Sequence, residues 1–116
     1  QKHAARYRSL LAGTPLALPA EAAGRRHVYH LFVVRAPGRE ALAAHLKSRG
    51  IATGVHYPVP LHLQKCFAYL GHKQGGFPES EKAALETLAL PIYPELSDAQ
   101  AGWVVDCIAR FYAQGS

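Results

Sequence analysis

The nine residues HVYHLFVVR, 27–35, constrain this chain more than any other stretch. β-Branched and aromatic side chains dominate them. An extended backbone would put Val28, His30, Phe32 and Val34 on one face and Tyr29, Leu31 and Val33 on the other. Apolar residues on both faces predict an interior strand covered on each side, with His30 as a buried structural residue. Such a strand is not stable alone. It needs neighbouring strands and helices packed over it.

The flanking sequence supplies them. Residues 1–12 place Ala4, Tyr7, Leu10 and Leu11 at roughly helical spacing, and Gly13 is a natural stop. TPLALPAEAAGRR is an irregular connector. REALAAHLKSRG, 39–50, reads as a helix with Leu42 and Leu46 one turn apart; a left-handed Gly50 would let Ile51 pack back on Leu46 in a Schellman motif. IATGVHY, 51–57, reads as a short strand whose regular pairing ends at Pro58. LQKCFAYLG, 63–71, reads as a short helix closed by Gly71. FPESEKAALETLAL, 77–90, reads as a longer helix, with Pro78 at its start and Glu79 and Glu81 in its first turn. LPIYP, 90–94, reads as a third strand. The last helix, within 97–114, opens on a capping box of Ser97 and Gln100 and carries an apolar stripe of Ala101, Val104, Ile108 and Phe111. Gly102 weakens it by about 1 kcal/mol relative to Ala, which predicts close packing there. The expected fold class is α+β (α/β sandwich-like): a small mixed or mostly antiparallel three-stranded sheet covered by helices, in one domain of 116 residues.

Composition narrows the function. With 49% hydrophobic and 18% charged residues the chain is globular, and no apolar run approaches the roughly 20 residues of a membrane span. The net charge of +5 is scattered, and no nucleic-acid motif accompanies it. A solvated surface is the plainer reading of such scattered charge, and a phosphate-bearing small ligand fits the modest positive balance equally well. Cys66 and Cys107 are the only cysteines, too few for a disulfide framework. Both fall in predicted helices, where buried inert thiols are expected, and free thiols point to a reducing, cytoplasmic compartment. The sequence has no methionine and opens in a helical pattern, as expected of a piece of something longer.

GVHYPVPLH, 54–62, sets His56, Tyr57 and His62 along a rail stiffened by Pro58 and Pro60. An extended run from His56 to His62 spans roughly 20 Å, and zinc sites use tighter pairs, so no metal site is expected. The chain has no nucleophile elbow, activated-cysteine motif, phosphate loop or dinucleotide fingerprint. Ligand contact is the chemistry left for the rail, because proline-held loops leaving a strand carry binding residues well. Ordinary packing of a strand histidine stands beside it as an alternative.

Taken in order, HVYHLFVV, REALAAHLKSRGIATGVHYPVPLHLQ and FPESEKAALETLALPIYPELSDAQ resemble the C-terminal small domain of the DegT/DnrJ/StrS family of pyridoxal-phosphate-dependent nucleotide-sugar aminotransferases. The resemblance covers most of residues 27 to 113, and Gly50 to His62 is its specific part. It implies a fold-type-I enzyme, usually a homodimer, in which a large domain carries the cofactor and a small domain, here residues 1–116, closes over it. The reaction it implies moves an amino group from an amino acid, typically glutamate, to a nucleotide-linked keto sugar destined for cell-surface polysaccharide or antibiotics. In the family the positions matching His56 and Tyr57 face the cleft, so the resemblance implies that these two bind substrate, with His62 a further candidate. The Schiff-base lysine and the acidic partner of the pyridinium nitrogen belong to the large domain. Lys2, Lys47, Lys65, Lys73 and Lys82 match neither motif, so no catalytic or cofactor-binding residue is expected here. The chain alone is expected to be inactive and to hold no cofactor. Two alternatives accompany this reading: a family relative that dehydrates its sugar, and a non-catalytic binding or regulatory module that retains the domain.

Overall fold

The computed structural model describes residues 1–114. At its centre lies a two-stranded antiparallel sheet of β1, Phe32–Arg35, and β2, Thr87–Leu90, with Phe32 opposite Leu90 and Arg35 opposite Thr87. Single bridges extend it on both sides, Ala17 to Arg35 and Gly54 to Ala89. Helices α1 (Lys2–Leu11), α2 (Arg39–Ser48) and α4 (Asp98–Gln114) build the core with the sheet, and α3 (Pro78–Glu86) leads directly into β2. The α+β class, an antiparallel sheet with helices over it, is the one the chain adopts.

Period explains the packing. Tyr7 and Leu11 stack along one stripe of α1, Leu42 and Leu46 along one of α2, and Val104 and Ile108 along one of α4; all are buried with Phe32, Val34 and Leu88. Each such side chain stabilises the fold by about 1.5–3 kcal/mol relative to exposure. Tyr7 and Phe32 meet ring to ring with centroids 5.2 Å apart. The α2 terminus forms the expected Schellman motif: Ile51 N–H donates to Leu46 O at 2.9 Å and Gly50 N–H to Lys47 O at 3.1 Å. The expected capping box is also present, with Gln100 N–H donating to Ser97 Oγ at 3.0 Å and Ser97 N–H to Gln100 Oε1 at 2.9 Å.

Strand boundaries differ from expectation. The nine-residue strand shrinks to four, because Tyr29 takes a left-handed φ of 53°. Its N–H donates to His27 Nδ1 at 2.9 Å, and the two rings stack 4.1 Å apart, which turns the chain locally. His30 is therefore exposed rather than buried, and Val28 is 74% exposed. The 51–57 strand reduces to the Gly54 bridge, since Pro58 and Pro60 have no N–H to continue a ladder.

Helix α3 stops at Glu86 rather than at residue 90. Buried Arg39 of α2 donates to the Ala84 carbonyl, and Thr87 Oγ1 donates to Ala83 O at 2.7 Å. These contacts occupy carbonyls of the last turn and free Thr87–Leu90 to pair with β1. The strand expected at LPIYP thus lies earlier, at 87–90 as β2, and the expected three-stranded sheet has two strands flanked by single bridges. Two single residues also depart from expectation. A Cβ on Gly102 would meet nothing within 4 Å, so that glycine faces open space. Cys66, in a 3-10 helix with no buried residue, is exposed, while Cys107 is buried.

Candidate functional site

The stretch after Gly54 leaves the sheet edge and crosses the face of β1 and β2 opposite the main core. It encloses a cleft of about 370 Å³ with Val33, His56, Tyr57, Leu61, Ser80 and Thr87 among its walls. The His56 ring folds back over position 54, where a Cβ would lie 3.6 Å from His56 Nε2, an ordinary van der Waals contact. Tyr57 has φ 57°, a left-handed state that a bulky side chain rarely adopts and that costs about 1–3 kcal/mol. Its side chain is 72% exposed, so no burial of its own explains that conformation. Pro58 follows and fixes the exit direction. The floor is apolar, and an imidazole, a phenol and two hydroxyls stand around it. Such a site suits a ligand with an apolar ring face and several hydroxyl groups.

His62 is turned elsewhere. Its side chain is only 7% exposed and faces a separate apolar cavity of about 270 Å³, shared with Phe67, Leu70, His72 and Phe77. The His62 and Phe77 rings lie 4.8 Å apart. Nε2 of His62 sits 3.3 Å from Oε2 of Glu81, a close electrostatic contact rather than an aligned hydrogen bond. The Glu81 carboxylate also accepts Gly75 N–H at 2.8 Å and Phe77 N–H at 3.2 Å. The Gly75 N–H first, then the Phe77 N–H and His62, hold that carboxyl below the usual carboxylate range. The structure thus gathers His56 and Tyr57 in one cleft and places His62 behind its wall.

Ser80, Thr87 and Glu81 carry no sequence signal of a site, because they sit in an ordinary amphipathic helix and strand. The register between α3 and the rail brings them there. Among the described residues, no group of three or more His, Cys, Asp or Glu gathers as metal ligands would. No helix of the described residues is long and apolar enough to cross a membrane.

Pyridoxal phosphate needs a lysine held near a carboxylate that can face its ring nitrogen. All five lysines are exposed, and none forms an ion pair among the described residues. The cleft walls contain neither lysine nor carboxylate. The residues of this chain do not by themselves fit that cofactor.

The family model of the DegT/DnrJ/EryC1/StrS aminotransferases matches residues 1–109. The chain belongs to this family. The resemblance carried by Gly50 to His62 is thereby borne out. The "Pleiotropic regulatory protein" of Geobacillus stearothermophilus is 53% identical over 115 residues, covering 97% of this chain and 31% of that protein. The dTDP-3-amino-3,4,6-trideoxy-alpha-D-glucose transaminase of Streptomyces venezuelae is 44% identical over 109 residues, covering 93% of this chain and 29% of the transaminase. The crystal structure of S. venezuelae DesV in complex with a ketimine intermediate matches with a TM-score of 0.91 at 42% identity, over 96% of this chain and 30% of DesV. The family member described here therefore spans about three tenths of the length of the curated relatives it matches.

Proposed function

We propose that this chain is the C-terminal small domain of a pyridoxal-phosphate-dependent sugar aminotransferase, and that His56 and Tyr57 contact its nucleotide-sugar substrate. The observation that carries the reading is the likeness to DesV, 42% identity and a TM-score of 0.91 across 96% of the chain. In this reading the amino group comes from an amino acid such as glutamate and goes to a nucleotide-linked keto sugar. The cofactor, when bound, supplies the carbanion-stabilising chemistry, and residues outside this chain hold it. The full-length enzyme is a cytoplasmic homodimer. This chain's part is to close one wall of the site with an apolar floor and to set an imidazole and a phenol against the sugar or its diphosphate.

In the full-length enzyme, His56→Ala should raise KM for the nucleotide sugar about tenfold, the loss of one charge-assisted or neutral hydrogen bond, and leave cofactor absorbance intact. An unchanged KM removes His56 from the substrate site. The 116-residue chain, mixed with pyridoxal phosphate and borohydride, should give no stoichiometric lysine adduct. A specific adduct would show that the chain holds the cofactor itself.

A second reading, a regulatory or binding module, is favoured by one observation: the relative at 53% identity carries the name "Pleiotropic regulatory protein". Titrating the isolated chain with a nucleotide sugar separates the two. Tight binding without further residues supports a module, whereas a cleft that needs a second wall binds weakly.

A further inference from the structure

We infer that Glu81 is a positioning residue: it latches His62 and the Gly75–Phe77 turn to α3, and so holds the rail that presents His56 and Tyr57 to the cleft. The latch stands on geometry; only its purpose rests on the substrate reading given above.

The rail has few other anchors. Its last backbone tie to the sheet is at Gly54, which exchanges hydrogen bonds of 3.1 and 2.7 Å with Ala89. From residue 55 to residue 76 the backbone–backbone hydrogen bonds are all local, such as Leu63 N–H to Pro60 O at 2.9 Å and Gly71 N–H to Ala68 O at 3.1 Å. Between these points the chain carries two proline-fixed steps and a left-handed Tyr57. A conformation of that kind persists only where the surroundings over-determine it.

Glu81 is where the far end is secured. Its side chain is 15% exposed, low for a glutamate, and one carboxylate meets three groups from outside its helix. Gly75 N–H lies 2.8 Å from Oε1 and 3.0 Å from Oε2, Phe77 N–H 3.2 Å from Oε2, and His62 Nε2 3.3 Å from Oε2. His62 Nε2 has no aligned hydrogen-bond partner, so Glu81 supplies its polar contact. Phe77 completes the latch from the apolar side, between the rings of His62 and His72 at 4.8 and 5.0 Å. The latch also abuts the cleft directly. Leu61, next to His62, and Ser80, next to Glu81, both line the cleft with His56 and Tyr57.

The test is backbone 15N relaxation on the 116-residue chain, comparing wild type with Glu81→Ala. The wild-type amides of His56 and Tyr57 should show rigid order parameters near 0.85, and the variant should drop them below about 0.6. The amides of Val34 and Leu88 in the sheet should stay rigid in both. His62→Gln approaches the latch from the other side and should loosen the same two amides. The double variant should loosen them no further than the worse single one, because both act on one contact. The latch is overturned if Glu81→Ala frees Gly75 and Phe77 alone, since Glu81 then merely caps its own loop. Low order parameters at Tyr57 in the wild type, or additive loosening in the double variant, overturn it equally. These readouts involve no sugar, so a His56→Ala enzyme with unchanged KM would remove the substrate reading and leave the relaxation result to stand or fall separately.

Discussion

The hydroxyl of Tyr7 donates a 2.7 Å hydrogen bond to the carbonyl of Pro91, across 84 positions of sequence. It ties the first helix to the segment that leaves β2, and the ring itself is fully buried against Phe32. Tyr7→Phe keeps the ring and strips the Pro91 carbonyl of this donor. Urea unfolding should show a loss of about 0.5–1.5 kcal/mol, the net worth of one hydrogen bond to a half-buried acceptor. A loss near zero would mean that water satisfies the carbonyl in the variant.

The same phenol predicts an alkaline limit. Burial first, and the neighbouring Tyr93 second, push its pKa from 10.0 up to about 12. The unfolded chain therefore releases this proton more readily than the folded one. The resulting stability is whole below 10 and is lost as pH rises through about 12. Unfolding midpoints followed upward from neutral pH should fall there, and Tyr7→Phe should fall less steeply.

Glu81 predicts the acidic counterpart. Its carboxyl is held below its ordinary value of 4.5, chiefly by the Gly75 N–H. The folded state thus favours the ionised form. Its contribution is whole above 4.5 and is lost as pH falls through the depressed folded value. Glu81→Gln should flatten that part of the stability curve. Amide exchange at Gly75 and Phe77 should quicken in the wild type over the same acidic range.

Gly50 sits at φ 78°, and a Cβ there would meet nothing within 4 Å. Gly50→Ala therefore tests backbone conformation free of steric clash. It should cost about 1–2 kcal/mol, the left-handed penalty of an L-residue, as read by thermal or urea unfolding. A neutral result would mean that the Schellman turn rearranges without loss.

Tyr57 makes the opposite case. Its left-handed φ of 57° is strained, and its exposed side chain buries little. Asparagine tolerates that region better, so Tyr57→Asn should raise stability by about 1 kcal/mol. Under the proposed function the same change weakens nucleotide-sugar binding. Rising stability with falling affinity is the pattern expected of strain kept at a binding site.

Much of the fold was legible. The stripe of α1, the Schellman turn at Gly50 and the box at Ser97 depend on hydrogen bonds and side-chain spacing within a few positions. His56 and Tyr57 are legible for the same local reason, two nearby prolines that stiffen the run carrying them. The strand limits were not legible. HVYHL is as β-prone as FVVR, and the TLAL run suits either period until a partner strand chooses. Tyr29 is left-handed, and its hydroxyl accepts from Arg8 of α1 at 2.8 Å, a contact with another element that residues 27–35 alone do not reveal.

By itself the sequence determined the apolar stripes of α1, α2 and α4, the Schellman turn at Gly50, the capping box at Ser97, the need for a covered sheet and the kinship carried by Gly50 to His62. Those features follow from residue identity and short-range geometry. Tertiary structure alone decided which residues of each β-prone run pair, that His30 and Cys66 face solvent, and that His62 turns inward to Glu81 while His56 and Tyr57 turn out. Each of those outcomes depends on a partner distant in sequence. A side chain's own chemistry fixes what it can bond to, but only the assembled fold fixes what stands within reach.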